Sequence, residues 1–127
     1  MQFIKKHNIG PVFEDERGMI FDLVDKENIK HIGMLTSKKG SVRGSHYHKL
    51  AKQITYVFSG KLELTLKDMK DKDAELQTVV MGKGDIVDIP PMVAHSLKAL
   101  EDTIFLVFTD KQRLDGGYEN DTHRVEM

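Results

Sequence analysis

Cysteine and tryptophan are missing from this chain, and only three prolines occur in its 127 residues. Without a thiol there is no disulfide framework, no thiolate metal site and no cysteine nucleophile. The same absence fits a reducing compartment. No stretch approaches the roughly twenty consecutive apolar residues that a membrane-spanning helix needs. The opening Met1-Gln2-Phe3-Ile4-Lys5-Lys6-His7 lacks the long apolar core of a secretory leader. Neither sign of charge dominates, since 19 Lys and Arg stand against 20 Asp and Glu. No basic stripe is present, so nucleic acid is not expected as a partner. These absences together predict a cytoplasmic protein without a membrane partner.

What remains is ordinary in bulk and specific in detail. Hydrophobic residues make up 39% and charged residues 31% of the chain, as in a typical globular protein. The length suits one core, and no linker, repeat or low-complexity tract divides it, so residues 1–127 are read as a single domain. The apolar pattern is short and its period is two. Lys61-Leu62-Glu63-Leu64-Thr65-Leu66-Lys67 alternates leucine with polar residues, which buries one face of a strand and wets the other. Further strands are expected over 18–23, 29–36, 53–58, 75–81, 86–89, 95–100 and 103–108. Asp68 to Asp73 reads as a solvated hairpin tip, and Pro90-Pro91 closes a strand that cannot continue through it. Residues 23–30 come nearest to a helix, with poor periodicity. Many short strands separated by Gly and Pro turns predict an all-β sandwich or barrel.

The chemistry concentrates in residues 40–60. His46 and His48 are two apart, so on a strand both point to one face. Gln53 follows after a short loop, and Gly60 ends the next apolar run at a turn. Two imidazoles and a third polar group on one face can grip a metal ion, or can hold and deprotonate a small substrate.

Gly40, then five residues, His46-Tyr47-His48, four residues, Gln53, six residues and Gly60 resembles the first motif of the cupin superfamily, with Gln53 where Glu is usual. Gly84, five residues, Pro90 and then His95 resembles the second motif, with Met92 at the usual Gly and Ala99 at the usual Asn. The resemblance implies a cupin double-stranded β-helix, a jelly-roll barrel in which His46, His48, Gln53 and His95 converge at the mouth. Such a set would suit Zn, Fe, Ni or Mn, although replacing Glu by Gln removes a negative charge from the site.

A narrower resemblance favours other chemistry. Arg43-Gly44-Ser45-His46-Tyr47-His48-Lys49 together with Gln53 is similar to the WxcM-like dTDP-4-keto-6-deoxyhexose 3,4-ketoisomerases and the dTDP-4-dehydrorhamnose 3,5-epimerases. Asp15-Glu16-Arg17-Gly18 and the tail Gly117-Tyr118-Glu119-Asn120-Asp121 are similar to segments near the two ends of such domains. The resemblance implies an isomerase or epimerase of a nucleotide-diphosphate sugar that needs no cofactor. His46 would be the base and His48 its proton partner, a role suited to imidazole near neutral pH. Arg43 would hold the diphosphate, with Lys49 as an added point charge. Gln53, His95, Arg17 and Tyr118 would complete the substrate site, Tyr118 as a proton donor. The other readings are a metal-binding cupin, a dioxygenase or metal-dependent isomerase using His46, His48, His95 and Gln53, and a non-catalytic sugar-binding module.

Three histidines, His7, His31 and His123, have no partner at ligand spacing and are expected on the surface. Tyr56 has the opposite strand parity to Gln53 and is expected outside the lumen. An open barrel with a free N-terminal strand has an edge to cover, so a homodimer is expected.

Overall fold

A computed structural model describes residues 4–127. Its twelve strands are β1 (Lys6–Asn8), β2 (Phe13–Asp15), β3 (Gly18–Ile20), β4 (His31–Ser37), β5 (Val42–His48), β6 (Gln53–Ser59), β7 (Lys61–Asp68), β8 (Gln77–Gly82), β9 (Asp85–Ile89), β10 (Val93–Ala99), β11 (Thr103–Thr109) and β12 (Thr122–Arg124). No helix occurs among the described residues. Two five-stranded antiparallel sheets face each other, ordered β1-β9-β6-β11-β4 and β12-β5-β10-β7-β8. The β2–β3 hairpin pairs with neither. This is the all-β jelly roll that the motifs imply.

The alternating pattern does the packing. Leu62, Leu64 and Leu66 of β7 are fully buried and meet Val57, Val87, Leu97 and Phe105 between the sheets. Burying one such side chain contributes on the order of 2 kcal/mol, so the two-residue period fixes both the register and which face is wet. The strand expected over 18–23 is shorter, ending at Ile20, and residues 23–30 form neither helix nor strand. The hairpin tip after β7 is held by carboxylates, with Lys70 N–H donating to Asp68 and Asp73 N–H to Asp71, each at 3.0 Å.

The core stops short of one end of the sandwich. There the inward positions of β4, β5, β6 and β10 carry His31, His46, His48, Gln53 and His95 instead of aliphatic side chains. The last turn-rich segment of the chain returns over this end, and β12 closes the edge of β5.

Candidate functional site

A cavity of about 590 Å³ opens between the two sheets at that end. This lies within the ordinary range for small-molecule sites. His46, His48 and Arg43 come from β5, His95 from the adjacent β10, Gln53 from β6, His31 from β4, and Tyr118 from the segment before β12.

The β5 strand is not regular. His46 pairs with His95, whereas Gly44 pairs with Ser96 and Arg43 with Leu97, so Ser45 is an extra, unopposed residue. Gly44 and Ser45 both have left-handed backbone, with φ of 93° and 59°. Arg43 and His46 are three apart and would face opposite sides of a regular strand. The bulge reverses the parity between them, and both line the cavity. Met92 stands where the second motif usually has Gly, and it too is left-handed, with φ of 70°. Its N–H donates to the His48 carbonyl at 2.6 Å, which ties the turn before β10 to the end of β5.

Three imidazoles cluster tightly. Ring centroids are 5.0 Å apart for His46 and His48, 4.8 Å for His46 and His95, and 5.5 Å for His48 and His95. His48 donates through Nδ1 to the Asp121 carbonyl at 3.1 Å, and His95 through Nδ1 to the Val93 carbonyl at 3.1 Å. Carbonyls accept only, so both rings carry the proton on Nδ1 and keep the Nε2 lone pair in their neutral forms. The His95 Nε2 is buried with no protein partner, as is the His46 Nδ1. Burial, reinforced by the positive charge that His48 and Arg124 would present, lowers the His46 pKa from 6.5 to about 4. Burial and the neighbouring His46 take His95 from 6.5 to about 3. Burial also lowers His48, against the opposing pull of Asp121 and of a hydrogen bond to the Gln53 amide. The cluster is therefore neutral near pH 7 and can accept a proton.

Around this cluster the charge is positive. Arg43, Arg113 and Arg124 line the cavity with a single carboxylate, Glu119. Arg43 is aligned by bonds from Nε to Ser37 Oγ at 3.0 Å and from Nη2 to the Thr36 carbonyl at 2.9 Å. Arg124 donates to the Gly44 carbonyl at 2.9 Å, and Arg113 pairs with Glu119 at 3.2 Å. Asp121 organises the floor of the loop after β5. Its carboxylate accepts from the N–H groups of Lys49, Leu50 and Ala51 at 2.9, 2.7 and 3.0 Å.

Of the residues expected from sequence, Arg43, His46, His48, Gln53, His95 and Tyr118 all line the cavity. Two do not. Lys49 lies past the end of β5 with an exposed side chain, because the chain turns into the loop that Asp121 holds. Arg17 lies in the β2–β3 turn, 81% exposed and paired with Asp15 at 2.7 Å, away from the cavity. His31 was expected on the surface but faces inward beside Tyr118, with ring centroids 5.2 Å apart. Its inward neighbours Gly33 and Leu35 alternate with exposed Ile32 and Met34, and with apolar residues on both faces the parity of β4 could not be read from sequence. Tyr56 is not among the lining residues, as its parity implied. Glu119 stands out in sequence only within the tail that resembles the end of the ketoisomerase and epimerase domains, and Arg113 and Arg124 carry no signal; the return of the C-terminal segment brings all three to the site.

The chain matches the family described as the polysaccharide biosynthesis C-terminal domain across residues 13–122. It belongs to that family. The domain's fold is also that of solved cupins of the RmlC-like type. It is similar to a 3,4-ketoisomerase from Helicobacter canadensis, at 20% identity and a TM-score of 0.79 over 98% of this chain and 92% of that one. It is similar to QdtA, a sugar 3,4-ketoisomerase from Thermoanaerobacterium thermosaccharolyticum solved in complex with TDP, at 21% identity and a TM-score of 0.77 over 98% and 90%. A dTDP-4-dehydrorhamnose 3,5-epimerase from Sulfolobus tokodaii gives 22% and 0.76 over 97% and 82%. At these identities the likeness establishes the fold. A probable oxalate decarboxylase from Arthroderma benhamiae is 35% identical over 74 residues, which are 57% of this chain and 17% of that protein. The polysaccharide biosynthesis domain thus spans less than a fifth of that relative.

Proposed function

We propose that this domain isomerises or epimerises a nucleotide-linked 4-keto-deoxysugar by removing a proton beside the keto group. One observation carries the reading: neutral imidazoles and three guanidiniums share one cavity. A carbon next to a carbonyl is acidic enough for a histidine base when the enolate oxygen meets a hydrogen-bond donor. His46 takes the proton, and His48, oriented by the Asp121 carbonyl, relays it. Gln53 and His95 hold the sugar. Arg43 holds the diphosphate, for which a guanidinium fork is well matched, and Arg124 on the neighbouring strand adds a second positive charge. The structural neighbours that act on dTDP-sugars, one of them solved with TDP, support the substrate class. No cofactor takes part in this scheme.

We read residues 1–127 as a single cupin domain that works as a homodimer in the cytoplasm. The dimer is supported by Ile32, Met34 and Phe58 on the outer face of the first sheet, which are 62%, 71% and 56% exposed. Val12, Phe13, Met19 and Ile20 of the unpaired hairpin region are also exposed. Exposed apolar side chains grouped on one sheet face mark an interaction surface. No helix among the described residues is long and apolar enough to cross a membrane.

Incubation with dTDP-4-keto-6-deoxyglucose in heavy water tests the reaction. Carbon-bound deuterium and a new keto sugar are expected. Their absence, where an authentic 3,4-ketoisomerase succeeds, removes this substrate class.

One observation favours a metal-binding reading. The candidate ligand atoms of His46, His48 and His95 lie within 4.8 Å of one another. The free Nε2 lone pair of His95 and the neutral state of the cluster fit Zn, Fe, Ni or Mn. Two nitrogens at about 2.1 Å from one ion lie at most about 4.2 Å apart, so a metal would draw the outermost rings inward. When bound, it would act as a Lewis acid on a substrate oxygen. Elemental analysis before and after chelation discriminates the two: one metal per chain, with activity lost on chelation, would replace the metal-free scheme.

A further inference from the structure

On the wall formed by the first sheet, this scheme uses Gln53 and leaves His31 idle. His31 stands on β4, in the first sheet, while His46, His48 and His95 belong to the second. Its Nδ1 is buried and has no protein partner. The Tyr118 ring lies between the two walls, 5.2 Å from His31 and 6.0 Å from His48. Burial raises the Tyr118 pKa above its usual 10.0, so the phenol keeps its proton. A Cβ at Gly33 would come within 3.1 Å of the His31 ring, so the bare glycine leaves the imidazole its place.

We propose that His31 is the catalytic group that moves a proton between the two sugar oxygens in a keto migration; this rests on the isomerase reading above. Keto migration from C4 to C3 breaks one C–H bond at C3 and makes one at C4. It also requires the hydroxyl proton to leave O3 and one to arrive at O4. No oxidant is needed, because the two carbons exchange oxidation state through a shared enediol. The carbon protons fall to His46 on one wall. The oxygen protons fall to His31 on the other, which donates to O4 as the enolate forms and accepts from O3 as the new carbonyl closes. Epimerisation has no net transfer between oxygens; there a group on the second wall would instead return a proton to the opposite face of the carbon, and the keto group would stay at C4.

The test is to follow, in heavy water with dTDP-4-keto-6-deoxyglucose, both the deuterium entering recovered substrate and the appearance of the 3-keto product. In His31→Gln, product formation should fall about 10²-fold or more, the usual scale for a lost acid–base group, while exchange falls far less. The ratio of exchange to product therefore rises. Gly33→Ala, which displaces the ring and keeps the imidazole, should shift the ratio the same way by a smaller factor. It also serves if His31→Gln does not fold. An unchanged ratio in both variants, whether from full activity or from a proportional loss, overturns the assignment, as does a wild-type product epimerised at carbon with its keto group still at C4. A wild-type protein that neither exchanges nor isomerises the sugar overturns the isomerase reading itself, and the role of His31 with it.

Discussion

His46 and His95 sit directly opposite each other across β5 and β10, and one residue beyond that pair the register slips by Ser45. The slip is what brings the guanidinium of Arg43 to the same side as the imidazole of His46. Gly44, at φ of 93°, makes it possible, since a Cβ there would lie 2.8 Å from the His95 carbonyl oxygen.

Gly44→Ala should therefore abolish turnover and cost about 1–3 kcal/mol in stability, from backbone strain and the displaced β10 carbonyl. Ser45→Gly, which relaxes a left-handed non-glycine residue and adds no bulk, should retain activity. Urea unfolding and a turnover assay on both variants check this. An active, stable Gly44→Ala protein would refute the role given to the bulge.

The buried imidazoles set the response to acid. Burial pushes His95 from the ordinary 6.5 down to about 3 in the fold. Between those values the unfolded chain binds the proton that the folded chain refuses, so stability is complete above pH 6.5 and falls as the pH drops. From pH 6.5 to about 4 the loss from His95 alone is about 3 kcal/mol, at about 1.36 kcal/mol per pH unit. Urea midpoints measured across this range should fall steeply, and His95→Leu should flatten the slope. A midpoint that does not move in the native protein would contradict the buried neutral state.

The same neutrality shapes catalysis. With His46 lowered to about 4 by burial and its charged neighbours, the acid limb of kcat/KM should lie well below the ordinary histidine range. The cluster titrates as a coupled unit, so the limb reports the group rather than one ring. A pH–rate profile that already falls at pH 6.5 would contradict the buried, neutral state of the cluster.

Asp121 has two jobs at one position: its carbonyl orients His48, and its carboxylate gathers three loop N–H groups. Burial alone would raise its pKa, but the N–H groups of Leu50, Lys49 and Ala51 hold it below the usual value. Asp121→Ala should cost about 1–3 kcal/mol through the orphaned donors and lower kcat by loosening His48. Asp121→Asn should recover part of both. Thermal unfolding and steady-state kinetics distinguish this from a neutral surface change.

Lys49→Ala should leave turnover within about threefold of the parent, because a surface charge outside the cavity contributes little. Arg43→Gln should weaken binding of the nucleoside diphosphate by about tenfold or more, the scale of one charge-assisted contact. A turnover assay checks the first and calorimetric titration with TDP the second, and the reverse order of effects would restore Lys49 to the site.

The sequence by itself determined the fold and the heart of the site. A period of two with turns at Gly and Pro leaves a chain of this composition few options besides stacked antiparallel sheets. Histidines at 46, 48 and 95 on inward positions then have to meet at the lumen. Tertiary structure decided the rest. Strand parity predicts that Arg43 and His46 diverge, and only the ladder with β10 shows the extra residue that reunites them. His31 lies on a strand with apolar residues on both faces, so its direction depended on which face the opposite sheet covered. Arg113 and Arg124 carry no local pattern at all, and Glu119 and Asp121 show only as part of a tail that resembles the end of the ketoisomerase and epimerase domains; the place of all four comes from a long-range return of the chain, and sequence spacing holds no information about a contact that the intervening fold must make.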